Sequence, residues 1–140
     1  MTAKTRVLVV DGAPVVLELV ARVLDEAGYL VHACADAAAA EAVLARHEID
    51  LLVTSKNLGT TTGMEVARRA RERLPGLPVV LMTGPLDLHP VTAFKFEGYL
   101  VTPPTNAQAI HQAVAAALDS DAATRRRNAP TLKLDELVPR

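Results

Sequence analysis

The chain has 140 residues, of which 50% are hydrophobic and 22% are charged, and its formal net charge is -1. This composition excludes a disordered chain and fits one domain that needs no disulfide or metal to fold. The balanced charge and the 3% of aromatic residues argue against a nucleic-acid binder. The single cysteine, Cys34, cannot form an internal disulfide, and no apolar run near the N-terminus is long enough for a signal or a membrane span. We therefore expect a cytoplasmic protein without nucleic-acid or membrane partners.

Short apolar runs alternate with amphipathic segments along the first half of the chain. A β-branched run at 6–10 ends at Asp11-Gly12 and predicts a buried strand. Pro14 opens a segment whose apolar residues recur every three or four positions up to Gly28, which is typical of a helix. A second strand is predicted at 29–34, and Asp36 is a candidate cap for a second helix that points Ala40, Val43 and Leu44 inward.

The second half repeats this alternation. Strands are predicted at 50–54, 78–82 and 97–101, and residues 55–62 lack periodicity and are interpreted as a loop. Helices are predicted at 63–74 and 106–118, and Pro90 makes the intervening helix at 86–95 short or distorted. Five strands that alternate with helices predict a parallel sheet in a three-layer α/β domain.

The ends of the predicted strands carry the candidate functional residues, because parallel sheets bind ligands beyond their carboxyl ends. Asp11, Ser55, Thr83 and Thr102 stand there. No phosphate-binding glycine motif, no hydrolase nucleophile motif and no metal-ligand spacing of histidines is present. Residues 5–118 do resemble a response-regulator receiver domain of two-component signalling. The motifs that carry the resemblance are VLVVDG at 7–12, DLLVTSKNLGTTTG at 50–63, VVLMTG at 79–84 and GYLVTPP at 98–104.

The resemblance implies a flavodoxin-like receiver fold, a three-layer α/β/α sandwich whose five parallel strands take the order 2-1-3-4-5. It also implies that Thr83 and Tyr99 are the switch residues and that the backbone carbonyl of Asn57 matches a metal ligand. The bond between Thr102 and Pro103 is expected to be cis, as in receiver domains. Gly63 matches the glycine of the loop after the third strand.

Three positions depart from the receiver pattern. Gly12 replaces the second acidic residue after the first strand, Ser55 replaces the phospho-accepting aspartate, and Thr102 replaces the lysine of the fifth strand. Phosphoryl transfer to a carboxylate needs that nucleophile and a cation that neutralises phosphate charge. Asp11 is the one expected carboxylate left, so only Asp11 and Asn57 remain as weak remnants of a metal site. The favoured interpretation of Asp11, beside that of a remnant metal ligand, is a cap on the first helix.

Together these departures favour a stand-alone pseudo-receiver, a phosphorylation-independent protein-interaction module without enzyme activity or Mg²⁺. The alternative is a phospho-accepting regulator that uses Mg²⁺ and an atypical acceptor. A third possibility is a small-ligand site at the hydroxyl-rich loop 59–63. The four arginines between 68 and 73 are interpreted as a solvated helix face rather than an anion patch, because Glu65 and Glu72 lie among them.

A partner surface is expected on the face formed by the fourth predicted helix, the fifth strand and the last helix. Three of the four aromatic residues fall there, namely Phe94, Phe96 and Tyr99, and aromatic side chains are favoured interface anchors. This face could bind protein partners of a signalling pathway or a second copy. Residues 1–118 are thus predicted to form the domain, and residues 119–140 a polar tail. The terminal sequence LVPR resembles a thrombin-site remnant and is excluded from the functional reasoning.

Overall fold

A computed structural model of the chain describes residues 4–84, 95–102 and 106–127, with side chains to residue 119. The strands are β1 (Arg6–Val10), β2 (Leu30–Cys34), β3 (Leu51–Ser55), β4 (Val79–Thr83) and β5 (Gly98–Val101). The helices are α1 (Pro14–Glu26), α2 (Ala37–Arg46), α3 (Gly63–Arg73) and α4 (Ala107–Arg127). Among the described helices, none is both long and apolar enough to cross a membrane.

All strand pairs are parallel, and the sheet order is β2-β1-β3-β4-β5, as the resemblance implied. The central strands are mostly apolar on both faces and almost entirely buried, which is typical of a sheet covered by helices on both sides. Side chains of α2 and α3 pack in one core, and those of α1 and α4 pack in the other. The fold is therefore the three-layer α/β/α sandwich of a receiver domain.

Local signals in the sequence fix several helix starts. Pro14 lies in the first turn of α1, where its missing N–H costs nothing. The Asp36 carboxylate accepts a hydrogen bond from the Ala39 N–H at 2.8 Å, which confirms it as the cap of α2. The Thr62 hydroxyl accepts from the Glu65 N–H at 3.2 Å and caps α3 in the same way.

Several boundaries differ from the sequence predictions by one residue, including that of the fourth strand, which is observed at Val79–Thr83 instead of 78–82, and two differences affect the candidate site or the tail. The third strand is shifted by one residue, because Asp50 turns its carboxylate to the Arg6 N–H at 2.8 Å while Ser55 pairs with Met82. Ser55 is thus the last strand residue and not part of the loop. The last helix continues to Arg127 rather than ending at residue 118. Its last described buried side chain is Ala117, and the alanine- and arginine-rich sequence that follows favours further helix without needing a core.

Some predictions fall on residues that the structure does not describe. They are most of the predicted helix at 86–95, the residue Phe94, the bond from Thr102 to Pro103, and residues 128–140 of the predicted tail.

A charged pair connects α3 to the amino ends of β4 and β5. The Arg71 guanidinium lies 2.8 Å from the Glu97 carboxylate, and both side chains are largely buried. The same Glu97 oxygen accepts a hydrogen bond from the Val79 N–H at 2.8 Å, and Arg71 Nε donates to the Leu77 carbonyl at 2.9 Å. Each charge is hydrogen-bonded as well as paired, which is the condition for a buried ion pair to be tolerated.

Candidate functional site

A pocket of about 360 Å³ opens at the carboxyl ends of β1 and β3. Five of the residues singled out in the sequence line it together: Asp11, Gly12, Ser55, Asn57 and Thr102. The parallel sheet explains this meeting, because strands that point the same way end at the same edge. Residues 40 or more positions apart in the chain are thereby brought into one site.

Asp11 is the acidic residue of this pocket, and only 6% of its surface is exposed. Its carboxylate accepts a hydrogen bond from the Ala13 N–H at 2.8 Å. Burial raises the pKa of Asp11, and the hydrogen bond from Ala13 opposes that rise without cancelling it. The prediction of an ordinary helix cap was wrong, because Ala13 itself occupies the cap position and Asp11 holds the turn that enters α1.

Gly12 leaves room for a side chain. A Cβ placed there would meet only the Ala35 carbonyl oxygen at 3.6 Å, which is an ordinary contact. The backbone of Gly12 also lies outside the positive-φ region. Among the described residues, the position therefore has room for the first carbon of the acidic side chain that the receiver pattern has there.

Ser55 forms a side-chain hydrogen bond within the pocket. Its hydroxyl donates a hydrogen bond to the backbone carbonyl of Asn57 at 3.1 Å. The receiver resemblance assigns that carbonyl to the metal, and in this chain the carbonyl accepts a hydrogen bond from the Ser55 hydroxyl. Sequence reasoning missed this bond, although a serine two residues before a loop carbonyl is a common local donor.

The loop at 56–62 is closed by its own hydrogen bonds. The Leu58 N–H donates to the Thr61 carbonyl at 3.1 Å, and the Gly63 N–H donates to the Lys56 carbonyl at 2.9 Å. The Thr62 hydroxyl caps α3. The N–H groups of Leu58 and Gly63 are therefore already used within the loop, which weakens the case for a small-ligand cradle there.

Gly63 is required by the close approach of α3 to the end of β3. A Cβ on Gly63 would lie 2.0 Å from the carbonyl oxygen of Ser55 and 3.0 Å from the Thr54 hydroxyl. No real side chain tolerates the first distance. The glycine that the receiver resemblance implies at this position therefore has a steric reason here that is independent of phosphoryl chemistry.

The oxygen atoms that line this pocket form a poor ligand set for a divalent cation. Mg²⁺ favours carboxylate oxygens in an octahedral arrangement, and here one buried carboxylate already accepts a backbone hydrogen bond. The other oxygen expected from the family pattern, on Asn57, accepts the Ser55 hydroxyl. In the described part of the chain, no cluster of three or more histidine, cysteine, aspartate or glutamate residues could hold a metal ion.

Thr83 and Tyr99, the predicted switch residues, lie on neighbouring strands. Thr83 is buried at the end of β4, and its backbone carbonyl accepts from the Thr102 N–H at 3.0 Å. Tyr99 on β5 is 40% exposed, whereas Phe96 is buried, and their rings meet edge to face at 5.8 Å. Of the predicted interface aromatics within the described residues, Tyr99 is the one at the surface and Phe96 belongs to the core.

Tyr99 borders an open groove between β5 and α4. The groove has a volume of about 420 Å³, and small residues of α4, including Ala109 and Ala113, form its other wall. An exposed aromatic ring beside a shallow groove can bury a large area on contact with another protein.

The α3 arginines divide into two kinds. Arg68 and Arg69 pair with Glu65, and Arg68 also reaches Glu72, all on the exposed side of the helix. Hydrogen bonds from the two arginines lower the pKa of Glu65 to about 2. These contacts agree with a solvated helix face, whereas Arg71 points to the interior and pairs with Glu97.

Comparison with known families gives one match that covers most of the chain. The model of the response regulator receiver domain matches residues 7–115. The chain is 36% identical over 77 residues to the probable transcriptional regulatory protein TcrX of Mycobacterium tuberculosis, covering 55% of this chain and 33% of that protein. It is 28% identical over 117 residues to the transcriptional regulatory protein GlrR of Escherichia coli, covering 82% of this chain and 26% of that protein. The chain thus spans about a third or less of the length of these relatives.

Solved structures of similar fold agree with this match. One is the signal receiver domain of an HD domain-containing protein from Pseudomonas fluorescens, with a TM-score of 0.76 and 26% identity, covering 86% of this chain and 99% of that one. Another is the chemotaxis response regulator CheY4 of Vibrio cholerae, with a TM-score of 0.74 and 25% identity, covering 83% and 100% of the two chains.

Proposed function

The chain belongs to the response-regulator receiver family, and from this premise we propose that it acts as a phosphorylation-independent protein-interaction module of two-component signalling. Receiver domains are in general signalling modules rather than enzymes, and the matched relatives are transcriptional regulators. The finer proposal is that this receiver domain works without an acyl phosphate, as a pseudo-receiver.

The observation that carries the proposal is the hydrogen bond from the Ser55 hydroxyl to the Asn57 carbonyl. Ser55 holds the position of the phospho-accepting carboxylate, and a neutral hydroxyl is a weak nucleophile unless a base activates it. Here that hydroxyl points its proton at a carbonyl that the family gives to the metal. One contact therefore supports both parts of the proposal, because it engages the hydroxyl at the acceptor position and one lone pair of the carbonyl that matches a metal ligand.

The other two substitutions support the same conclusion. Gly12 brings no second carboxylate to the pocket, although the site has room for one. Thr102 lines the pocket with a hydroxyl, where the family pattern places an ammonium group that pairs with the phosphoryl oxygens. Without either charge, the pocket lacks the electrostatic stabilisation on which phosphoryl transfer depends.

The alternative, an atypical phospho-accepting regulator, has one observation in its favour. Asp11 keeps its carboxylate inside an open pocket that Ser55 and Asn57 also line. Mg²⁺ titration monitored by amide chemical shifts separates the two functions. We expect millimolar binding at best for the native chain, and much tighter binding when Gly12→Asp and Ser55→Asp restore the carboxylates. Micromolar binding by the native chain would support the alternative.

The partner surface that we propose is the face around Tyr99. Capture of partner proteins from the native host by the immobilised chain tests it, with Tyr99→Ala as the variant and Met64→Ala as the matched control. Met64 is similarly exposed, at 37% against 40% for Tyr99, but lies on α3. We expect the first substitution to reduce capture and the second to leave it unchanged. Equal capture by both variants would place the interface elsewhere, for instance on α1 near Leu17.

A further inference from the structure

Strand β2 is an edge of the sheet without the usual protection. It is last in the strand order and pairs with β1 alone among the described strands. Its sequence, LVHAC, contains no proline and no lysine or carboxylate, and its register with β1 runs through all five residues without a bulge. Natural proteins protect exposed edge strands with proline, charged side chains or bulges, because an unprotected edge can pair with another strand.

The outward-facing backbone groups of β2 belong to Val31 and Ala33. The Leu30 N–H donates to the Thr5 carbonyl, and the Cys34 carbonyl accepts from the Asp11 N–H, so these two residues face β1. In a parallel ladder the facing alternates along the strand, so His32 also faces β1. Val31 and Ala33 therefore direct two N–H donors and two carbonyl acceptors away from the sheet, and within the described residues none of the four has a partner.

The same two residues form one wall of a groove against α1. This groove has a volume of about 550 Å³, and its lining is mainly apolar, with contributions from Leu17 and Ala21 of α1. Charged residues of both signs, Glu18 and Arg22 among them, stand at its rim. An unpaired strand edge beside an apolar groove is the arrangement that accepts an added strand.

A second copy of β2 satisfies this edge in one symmetric register. If the two strands run antiparallel about a two-fold axis at His32, Val31 lies opposite the partner's Ala33 and Ala33 lies opposite the partner's Val31. Both are hydrogen-bonded pairs of an antiparallel ladder, and together they use all four outward donors and acceptors of each chain. Burial, His47 and Arg6 lower the pKa of His32, so the two imidazoles on the axis are neutral near pH 7.

The charges on α1 are complementary under the same axis. His32 is the midpoint of β2, and Val20 is the midpoint of α1, which runs in the opposite direction. Glu18 and Arg22 lie two residues on either side of that midpoint, about 3 Å along the helix axis. Within one chain Glu18 and Arg22 already pair at 3.2 Å. A two-fold axis that passes level with Val20 would also place Glu18 of one copy level with Arg22 of the other, so that each charge has an opposite charge across the interface.

From this edge, groove and charge pattern we propose that the chain forms a two-fold homodimer in which β2 pairs antiparallel with β2 of the partner and the two α1 helices flank the pair. The interface is distinct from the face around Tyr99 and from the pocket at Ser55. It joins two five-stranded sheets into one continuous sheet.

Sedimentation equilibrium over a concentration series tests the proposal. The native chain should show a reversible dimer, and Ala33→Pro should raise its Kd by about tenfold or more, equivalent to about 1.4 kcal/mol. Proline at this position removes an outward N–H and no bond to β1, so the sheet should persist. Circular dichroism and thermal melting of the variant verify that it folds.

Charge reversal gives a second test that does not touch the strand. Glu18→Arg alone and Arg22→Glu alone should each weaken the dimer, and mixing the two variants should restore it, because each Arg then faces a Glu of the other chain. Glu26→Arg, on the same helix but outside the groove, is the control and should change little. A native chain that stays monomeric at all concentrations overturns the proposal, even if the edge binds an added extended peptide. A dimer that Ala33→Pro leaves intact also overturns the proposal. The same holds if the mixture of Glu18→Arg and Arg22→Glu chains fails to dimerise.

Discussion

Gly63→Ala should change the free energy of unfolding through two effects of opposite sign, a gain in helix propensity and a steric clash with β3. Gly63 is the first residue of α3, where alanine would normally be preferred by about 1 kcal/mol for its helix propensity and for the reduced entropy of the unfolded chain. The structure predicts the opposite outcome, because the new Cβ would lie 2.0 Å from the Ser55 carbonyl oxygen.

The size of the effect follows from what would have to move. The obstacle is backbone at the end of a central strand, and its carbonyl also accepts the Thr54 hydroxyl at 3.1 Å. Relief of the clash requires a shift of at least about 1 Å between β3 and α3, and overpacking of this kind costs roughly 1–3 kcal/mol or more. Because the alanine preference offsets about 1 kcal/mol of this cost, we expect a net loss of about 1–2 kcal/mol in the free energy of unfolding, and a Tm lower by roughly 3–8 °C.

Chemical denaturation of the native chain and of two variants measures this. Gly12→Ala is the matched control, since it makes the same substitution at a glycine that lines the pocket, where the nearest atom to the new Cβ lies at 3.6 Å. We expect its stability to stay within about 0.5 kcal/mol of the native value. If Gly63→Ala were as stable as Gly12→Ala, the close approach of α3 to β3 would not exist in solution and the steric reasoning would be refuted.

Three further predictions address the interior, the pocket and the surface. Glu97→Ala should lower the free energy of unfolding, measured by chemical denaturation, by about 2–4 kcal/mol. Glu97→Gln should lower it by less, because glutamine keeps an acceptor for the Val79 N–H. Equal losses in the two variants would argue against that hydrogen bond. Burial raises the pKa of Asp11, so the folded chain binds the proton more tightly than the unfolded one and its stability rises as pH falls from the raised pKa toward 3.8. Asp11→Asn keeps an acceptor for the Ala13 N–H, and it should stabilise the chain at pH 7 and flatten this pH dependence; a destabilised variant would contradict the assigned cause. Tyr99→Ala should unfold like the native chain within about 1 kcal/mol, since its ring is partly exposed, and a larger loss would mean that the ring serves the core instead of a partner.

The fold was predictable from the sequence because the patterns that indicate strands and helix starts are local and recur along the chain. Apolar β-branched runs marked the central strands, and Asp36 and Pro14 marked helix starts by their own chemistry. The site could be located for a topological reason, since parallel strands deliver Asp11 and Ser55 to the same edge.

Other features depend on contacts that no sequence pattern encodes. Arg71 and Glu97 are 26 residues apart and pair only because α3 crosses the amino ends of β4 and β5. The burial of Phe96 beside an exposed Tyr99 depends on how β5 meets its neighbours. The Ser55 hydroxyl could have pointed in several directions, and its bond to the Asn57 carbonyl is visible only in three dimensions.

The most direct test of the central claim is incubation of the native chain with a small acyl-phosphate donor and Mg²⁺, followed by intact mass spectrometry. The account predicts no added phosphoryl group, because Ser55 has replaced the acceptor carboxylate and Gly12 and Thr102 have removed two charges that support the transfer. The variant that combines Gly12→Asp, Ser55→Asp and Thr102→Lys serves as the positive comparison and is expected to gain a labile phosphoryl group. A labile phosphoryl adduct on the native chain that disappears in Asp11→Asn would contradict the account.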